Sequence, residues 1–364
     1  MKRFIFMALA MPLLTISAHA QENRTRIGWN DDDDAPILYG NVESISGVKY
    51  ELKDVFGTIV KGDICDGKEV YSFNADGNVI VQCRYDSDGS MDRKNVYQYI
   101  TESNSYNITR YKGDGTIDGK IWIKNNEAGQ LLEKSSYDEV GVLSWKDLYK
   151  YDEKGNLIEY SEYRGDGSMI SKELSKYNSD GLIVEKAHYK GSGALEWKSI
   201  YKYDEKKNLI SQVSYDSEGA ATSRYAYGYD AAGNRNLEIS YCSDGTINEK
   251  NCYKYDSNGN VVEHASYNSD GTIYRIYRYK YNAANQKCEE LCYNSEGTLR
   301  WKDVYVYDAN GNKIEYIEYE SNGSIDKKQV YKYDSHNNLI EITKYKSDIL
   351  IPVNVIEFTI QYRQ

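Results

Sequence analysis

Two turn signals alternate with two strand-like runs along most of the chain. Runs of about eight residues, such as 312–319, are rich in β-branched and aromatic residues, a composition typical of β-strands. An Asp-x-x-Gly-Asn turn, as at 308–312, alternates with an x-Asp-Gly-Thr turn, as at 269–272, in which Gly allows the positive φ of a tight hairpin. Glycines recur too often for helices of ordinary length. The pattern predicts an all-β chain of antiparallel hairpins.

The hairpin pattern recurs with a constant period of 26 residues, and tyrosines mark it in two series. The anchor tyrosines, which precede the first turn of each unit, are Tyr151, Tyr177, Tyr203, Tyr229, Tyr255, Tyr281, Tyr307 and Tyr333. The second series lies twelve residues further on and comprises Tyr85, Tyr111, Tyr137, Tyr163, Tyr189, Tyr215, Tyr241, Tyr267, Tyr293, Tyr319 and Tyr345. Self-similarity at a fixed period indicates a repeat protein. Each unit is interpreted as two strands, which gives about 22 antiparallel strands.

A sheet of this size is not expected to stay flat, because open twisted sheets rarely exceed about ten strands. We therefore expect a long single-layer meander that curls into a superhelix or partial shell and is stabilised by contacts between neighbouring units. Folding about the Asp-Gly turn should set the Glu eight positions after each anchor opposite the Lys twenty-one positions after it. The predicted pairs are Glu133/Lys146, Glu159/Lys172, Glu185/Lys198, Glu289/Lys302 and Glu315/Lys328.

The N-terminus has the three zones of a secretory signal peptide: Lys2 and Arg3, the apolar stretch 4–14, and a small-x-small cleavage site at 18–20. The apolar stretch is too short to span a bilayer. We predict an exported protein, located in the periplasm, at the cell surface or outside the cell, without a membrane span in the mature chain. The predicted organisation is a signal peptide (1–20), a leader (21–46), a degenerate N-terminal capping unit (47–72), tandem repeats (73–345) and a C-terminal capping strand (346–364).

Charge and cysteine content narrow the possible partners. The net charge of −11 disfavours nucleic acid, whose affinity depends on neutralising phosphates with Lys and Arg. Export would permit disulfides. Cys252 and Cys288 are expected on strands that are adjacent across the Asn285 turn, and Cys65 and Cys83 are expected to pair likewise near the N-terminal end. No CxxC pair or Cys/His spacing typical of a metal site occurs in the sequence.

The repeat provides no obvious catalytic constellation. His188, His264 and His336 stand at different repeat positions, whereas catalysis needs one set of groups held together in a pocket. The segment 86–92 resembles part of a calcium loop but lacks the distal Glu. We therefore expect no enzymatic activity, no cofactor and no bound metal.

Three tryptophans share one repeat position, and each is followed by Lys: these are Trp145, Trp197 and Trp301. Alternation along a strand places them on the same face as the anchor tyrosines. Such an aromatic strip could stack on sugar rings or on a partner peptide, and the alternative is that it packs beneath neighbouring loops or in a concave interior. The candidate ligand-binding residues are Trp145, Trp197, Trp301, Tyr151, Tyr203 and Tyr307.

The segments 149–157, 253–261 and 305–313 share the pattern Tyr-x-Tyr-Asp-x-x-Gly-Asn and resemble the YD repeat of the Rhs family over roughly residues 70–345. The resemblance implies a β-strand shell, sometimes built around a toxin, and YD repeats have been linked to carbohydrate binding. Two features depart from the family. The unit is longer than the usual YD repeat, and the Pro-containing cleavage motif of Rhs shells is not matched, since Pro36 and Pro352 alone follow the signal peptide. The chain is more similar to small exported YD-like repeat proteins of Bacteroidetes-type bacteria.

These observations favour a non-enzymatic, exported module with a binding or surface-structural role. Its expected partner is a glycan or another cell-envelope protein. The first alternative is a carbohydrate-binding protein that uses the Trp/Tyr strip. The second alternative is a shell or accessory component of an Rhs-like toxin system.

Overall fold

The computed structural model describes residues 25–26, 36–100, 104–346 and 350–364. The predicted signal peptide, its cleavage site and part of the predicted leader lie outside the described residues. All the regular secondary structure of the described part is β-strand. Nowhere in that part is there a helix long and apolar enough to cross a membrane.

The strands follow one another with short turns between them. Two short strands, β1 (Thr25–Arg26) and β2 (Ile37–Leu38), pair with each other. The remaining strands are β3 (Val42–Val55), β4 (Thr58–Phe73), β5 (Val79–Tyr85), β6 (Met91–Ile100), β7 (Ser105–Lys112), β8 (Ile117–Asn125), β9 (Leu131–Tyr137), β10 (Leu143–Tyr151), β11 (Leu157–Arg164), β12 (Met169–Tyr177), β13 (Ile183–Lys190), β14 (Leu195–Tyr203), β15 (Leu209–Asp216), β16 (Ala221–Tyr229), β17 (Arg235–Tyr241), β18 (Ile247–Tyr255), β19 (Val261–Tyr267), β20 (Ile273–Tyr281), β21 (Lys287–Tyr293), β22 (Leu299–Tyr307), β23 (Lys313–Glu320), β24 (Ile325–Tyr333), β25 (Leu339–Lys346) and β26 (Ile351–Tyr362).

The sheet is a meander that closes on itself. Every strand from β3 to β26 pairs antiparallel with the next one in sequence, and β26 pairs with β3 to complete a closed barrel. The predicted all-β meander of tandem hairpins is confirmed, and its curling continues to closure. With strands ~4.8 Å apart, the ring is at least about 18 Å in radius. Closure leaves no long sheet edge open to aggregation.

Aliphatic packing is concentrated where the chain ends meet. Ile45, Ile342 and Ile356 are almost completely buried in one cluster, together with Leu38 of the N-terminal segment and Phe358 of β26. The regions predicted as an N-terminal capping unit and a C-terminal capping strand therefore face each other across the seam between β26 and β3. Burial of these side chains stabilises the join that the repeating units do not provide by themselves.

The Asp-x-x-Gly-Asn turns have the conformation expected from their sequence. In the turn at 152–156, Asp152 Oδ1 accepts hydrogen bonds from the backbone N–H groups of Lys154 (2.9 Å) and Asn156 (2.8 Å), and Asp152 Oδ2 accepts one from Asn156 Nδ2 (2.9 Å). Gly155 has a φ of 85°. The residues that replace this Gly in other units also adopt positive φ, at 69°, 66° and 64° in Lys207, Asn285 and Asn337.

The anchor tyrosines join the two strands of each Asp-Gly hairpin at its open end. The hydroxyl of Tyr281 donates a hydrogen bond to the backbone carbonyl of Val261, twenty residues earlier, at 2.9 Å. The same bond, at 2.6–2.9 Å, recurs from Tyr99 to Val79, Tyr151 to Leu131, Tyr177 to Leu157, Tyr203 to Ile183, Tyr229 to Leu209, Tyr255 to Arg235, Tyr307 to Lys287 and Tyr333 to Lys313. Each hairpin is therefore held together at its open end by a tyrosine side chain as well as by its strand ladder.

The predicted register of the Glu/Lys pairs is wrong by two residues. Lys172 lies opposite Ser161 rather than Glu159, because the register shifts beside the Asp-Gly turn. Glu159 instead lies opposite Lys150 across the other turn, with Nζ and Oε1 2.9 Å apart. Direct pairs of this kind recur in Lys176–Glu185, Lys254–Glu263, Lys280–Glu289 and Lys332–Glu341, while two of the predicted pairs meet diagonally, namely Lys302–Glu289 (3.3 Å) and Lys328–Glu315 (2.5 Å).

The cysteines are not placed as the sequence suggested. Cys252 lies on β18 and Cys288 on β21, so two strands separate them, roughly 14 Å at the usual strand spacing and twice the Cα separation that a disulfide allows. On the paired strands β4 and β5, Cys83 lies opposite Val70 rather than Cys65. All six cysteines are free thiols in the structure. The Asn285 turn joins β20 to β21, so Cys252 on β18 is not adjacent to Cys288 across it.

The anchor bond predicts a measurable stability difference. Tyr281→Phe keeps the ring but removes the donor to Val261, and we expect a loss of about 1 kcal/mol in the free energy of unfolding. Tyr274→Phe, on the same strand at a position 52% exposed, is the matched control and should change stability by less than about 0.5 kcal/mol. Chemical denaturation of both variants measures the difference. An equal effect at both positions would contradict the linking role of the anchor hydroxyl.

Candidate functional site

The two faces of the closed sheet differ in composition, because side chains alternate along each strand. On β10 one face carries Trp145, Asp147 and Tyr149, and the other carries Lys146 and Lys150. We call the first the aromatic face and the second the lysine face. The lysine face is largely neutralised by the Lys–Glu pairs described above. The candidate ligand-binding residues predicted from the sequence lie on the aromatic face.

Each of the three candidate tryptophans lies at the end of an oblique row that crosses five adjacent strands. The Trp301 row is Tyr253, His264, Tyr277, Cys292 and Trp301, in which each residue is directly opposite the next. The Trp197 row is Tyr149, Tyr160, Glu173, His188 and Trp197, and the Trp145 row is Tyr97, Ile108, Ile121, Ser136 and Trp145.

The tryptophans do not form one continuous strip. They stand on β10, β14 and β22, and even the nearest two, Trp145 and Trp197, are about 19 Å apart at the usual strand spacing. Their rings are half-buried and packed locally: Lys134 Nζ lies 5.5 Å from the centroid of Trp145, and His188 stacks on Trp197 at 5.5 Å. The continuous surfaces on this face run across strands, along the rows.

The anchor tyrosines among the candidate residues use their hydroxyls internally. Their hydroxyls donate to backbone carbonyls 2.8–2.9 Å away, in the pairs Tyr151–Leu131, Tyr203–Ile183 and Tyr307–Lys287. Burial raises the pKa of all three phenols. A ligand on this face would therefore meet the edges or faces of these rings rather than free hydroxyl groups.

The Trp301 row contains the most continuous aromatic stack. His264 lies between Tyr253 (4.6 Å between ring centroids, 13° between planes) and Tyr277 (5.3 Å, 12°), and Tyr277 is 6.2 Å from Trp301. Cys292, between Tyr277 and Trp301, is fully buried. Burial lowers the pKa of His264, although nearby glutamates oppose the shift. The row is thus a flat, mainly uncharged surface near neutral pH.

A pocket of about 360 Å³ lies next to this row. Ser223 occupies the repeat position that holds Trp in three other units, and Ser240 occupies a position that holds Ser in several units and Glu in two, Glu162 and Glu318. Small side chains at these positions leave the space open. We call this the β16–β18 pocket, and its principal lining residues are Ser223, Tyr225, Glu238, Ser240, Glu249 and Asn251.

The pocket combines hydrogen-bonding groups with an aromatic wall. Asn251 Nδ2 donates to Glu249 Oε1 at 3.1 Å, and the Asn251 amide oxygen lies 2.9 Å from His264 Nε2. Tyr225 lies nearly parallel to Tyr227, with ring centroids 6.5 Å apart. Carboxylates, amides and hydroxyls beside a tyrosine ring suit a polyhydroxylated ligand, whose hydroxyls can donate and accept while its apolar face covers the ring.

Sequence reasoning missed this pocket because no motif marks it. Ser223 and Ser240 are not unusual within the repeat, since Ser171 shares the first position and Ser136, Ser214 and Ser266 share the second. A comparison of the units would therefore not have singled them out. That the two positions lie side by side depends on the register of β16 to β18.

The aromatic face also carries half-buried carboxylates. Asp147 and Asp303 occupy the same repeat position, and burial raises the pKa of each to about 6. Asp303 lies directly opposite both Glu290 and Glu318, which adds repulsion. Within the described residues, no group of three or more His, Cys, Asp and Glu side chains is arranged to hold a metal ion.

Comparisons with known proteins give distant similarities. A family model described as an uncharacterised protein matches residues 170–244, and a search of curated proteins gives no significant match. Similar solved structures include a TcdB2–TccC3–Cdc42 complex (13% identity, TM-score 0.38, covering 79% of this chain and 19% of that chain) and a Tc holotoxin pore of Photorhabdus luminescens (12%, 0.36, 79% and 19%). A porin-like protein from Bacteroides uniformis also matches (10%, 0.26, 88% and 96%). The chain spans about a fifth of the Tc toxin chains.

The raised pKa of Asp303 predicts that this residue lowers the stability of the fold in a pH-dependent way. The folded state holds the proton up to about pH 6, whereas the unfolded chain releases it near pH 4, so ionisation of Asp303 destabilises the fold above about pH 6. Asp303→Asn should raise the melting temperature by about 2 °C at pH 8, and the gain should shrink as the pH falls from 6 to 4. Melting curves of both proteins across this range test the prediction. A gain independent of pH would contradict it.

Proposed function

We propose that this chain is an exported, non-enzymatic binding module whose ligand is a carbohydrate held at the β16–β18 pocket. The observation that carries the proposal is the position of a polar pocket directly beside a stacked aromatic row. Asn251 belongs to the lining of the pocket and contacts His264 of the Trp301 row. A sugar ring in the pocket could therefore be extended by further sugar units along Tyr277 and Trp301.

The chemistry of the pocket supports a neutral or weakly basic glycan. Glu238 and Glu249 provide acceptors for sugar hydroxyls, and Arg235, at 3.6 Å from Glu238, offsets part of their charge. Tyr225 provides the apolar surface against which a pyranose ring packs. An acidic glycan is disfavoured because its carboxylates or sulfates would meet these two glutamates.

A second candidate function is a structural shell, as the resemblance to the YD repeat suggests. The specific observation in its favour is closure: β26 pairs with β3, so the chain encloses a space without a partner chain. In this case the bound partner would be another protein of the cell envelope or an effector. The shell role predicts an effector or immunity gene next to the gene of this protein, and the absence of such neighbours across related genomes would count against it.

The carbohydrate proposal predicts selective effects of substitutions on the aromatic face. A glycan array should identify a neutral ligand, and titration calorimetry should show binding at least tenfold weaker for Asn251→Ala and Trp301→Ala. Trp122→Ala is the matched control, since Trp122 lies on the lysine face and is 46% exposed, and it should bind like the unchanged protein.

Trp145→Ala and Trp197→Ala distinguish the pocket from a repeated strip. Retained binding in both would place the site at the pocket, whereas a loss in all three tryptophan variants would favour the strip. No glycan binding by the unchanged protein, or binding unaffected by Asn251→Ala and Trp301→Ala, would refute the proposed site. Hydrolysis of the bound glycan would contradict the non-enzymatic role.

A further inference from the structure

One hairpin projects from the closed sheet. Pairing of β26 with β3 ends at Glu51, and pairing of β5 with β4 begins at Lys68. Residues 52–67 therefore form a two-stranded ribbon that has no neighbouring strand on either side among the described residues. From Leu52 to the turn the ribbon extends roughly 14 Å at the usual rise per residue.

The tip of this ribbon is apolar and exposed on both faces. Phe56 is fully exposed, and Val55, Ile59 and Val60 are each about 40% exposed or more. Ile59 pairs with Asp54, whereas Val55 pairs with Thr58, so the apolar side chains lie on opposite faces of the ribbon. One flat surface could not cover both faces at once. The tip needs a medium or a pocket that surrounds it.

The backbone at the tip is also unusual. Phe56 and Gly57 both have positive φ, 53° and 85°, as a two-residue hairpin turn requires, and Asp54 accepts a hydrogen bond from the Gly57 N–H at 2.6 Å. Asn is the preferred residue before Gly in such a turn. A bulky aromatic residue is strained in this conformation. The fold gives no reason for Phe56, because its side chain buries no surface within the protein.

The sides of the ribbon are protected against pairing with another strand. Lys53 pairs with Asp63 at 2.9 Å between the two strands of the ribbon, and Lys49, on β3 just before the ribbon, pairs with Asp66 at 2.8 Å. Charged residues along an exposed edge disfavour addition of a further strand. The balanced charges also leave no basic patch. The apolar tip, rather than the edges of the ribbon, is therefore the surface available for docking.

We propose that the tip of the β3–β4 hairpin inserts into the headgroup region of a lipid bilayer. Its four apolar side chains offer on the order of 400 Å², about half of what each partner contributes to a standard protein interface. A second copy of the chain is further disfavoured by the net charge of −11, which both copies would carry. A bilayer surface surrounds the tip on both faces and needs no matching shape.

The depth of insertion is limited by the ribbon itself. The unpaired backbone groups along its two sides cannot enter the hydrocarbon core, and Lys53, Asp54 and Lys61 bound the apolar tip. The tip should therefore reach roughly 5–10 Å, the depth of the boundary between headgroups and acyl chains. Since the ribbon has no excess of positive charge, phosphatidylcholine should suffice and anionic lipid should not strengthen binding.

Vesicle binding by the full mature chain tests the inference. The unchanged protein should sediment with phosphatidylcholine vesicles, and Phe56→Asn should reduce the partition coefficient at least tenfold. Because Asn suits the turn, this variant should melt at the same or a higher temperature, which separates loss of binding from loss of folding. Val140→Asn, in another turn where the side chain is 79% exposed, is the matched control and should bind normally. In Phe56→Trp, the emission of the new tryptophan should shift to shorter wavelength on vesicles.

Three results would overturn the inference. The first is no sedimentation of the unchanged protein with phosphatidylcholine vesicles. The second is equal binding by Phe56→Asn and the unchanged protein. The third is a dimer in solution, measured by light scattering, that Phe56→Asn converts to a monomer, since this would identify a second copy as the occupant. Failure of the carbohydrate proposal would leave each of these results unaffected, because the tip and the β16–β18 pocket share no residue.

Discussion

The hydrogen bond from each anchor tyrosine to the backbone at the start of the other strand of its hairpin is the interaction on which the rest of the structure depends. In a single-layer sheet each unit has few aliphatic side chains to bury, so the strands of a hairpin must be held together by other means. The bond from Tyr281 to Val261 spans twenty residues and can form only if the intervening strands and turns keep a constant length. An insertion in any strand would move the donor away from its carbonyl. The bond therefore fixes the length of the twenty residues from Val261 to Tyr281, which make up most of each 26-residue period.

The same regularity explains where specific features occur. A tyrosine-linked hairpin can be extended indefinitely, and nothing within one unit sets the number of strands. The ring is closed by side chains that depart from the repeat, namely the aliphatic cluster around Ile45, Ile342 and Ile356. The ribbon tip also lies outside the repeat, and there Phe56 occupies a turn position that suits Asn. The β16–β18 pocket lies within the repeat, and its Ser223 and Ser240 have counterparts in other units. Repetition forms the scaffold, and the pocket depends on which of its varied residues lie side by side.

Charged side chains are accommodated differently on the two faces of the sheet. On the lysine face, long side chains reach carboxylates on the adjacent strand, as Lys150 reaches Glu159, and remain largely in water. On the aromatic face, rings crowd the carboxylates, so Asp147 and Asp303 have a raised pKa. On this face, carboxylate oxygens beside aromatic rings can accept hydrogen bonds from the hydroxyl groups of a ligand. This contrast is the reason that we propose a ligand site on the aromatic face rather than on the more highly charged one.

The sequence alone determined the strands, the turns and the repeat, because these depend on residues close together in the chain: Asp152, Gly155 and Asn156 are sufficient to define a turn, and Lys207 follows the same path. Relations between strands were decided by the tertiary structure. The register shift at each Asp-Gly turn moved Lys172 away from Glu159, and the pairing order separated Cys252 from Cys288. Closure through β26 and β3, the oblique row ending at Trp301 and the pocket beside it all depend on which residues lie opposite one another. A shift of one residue in the register of a strand moves each of its side chains to the opposite face of the sheet. The local sequence pattern therefore cannot predict which residues lie opposite one another.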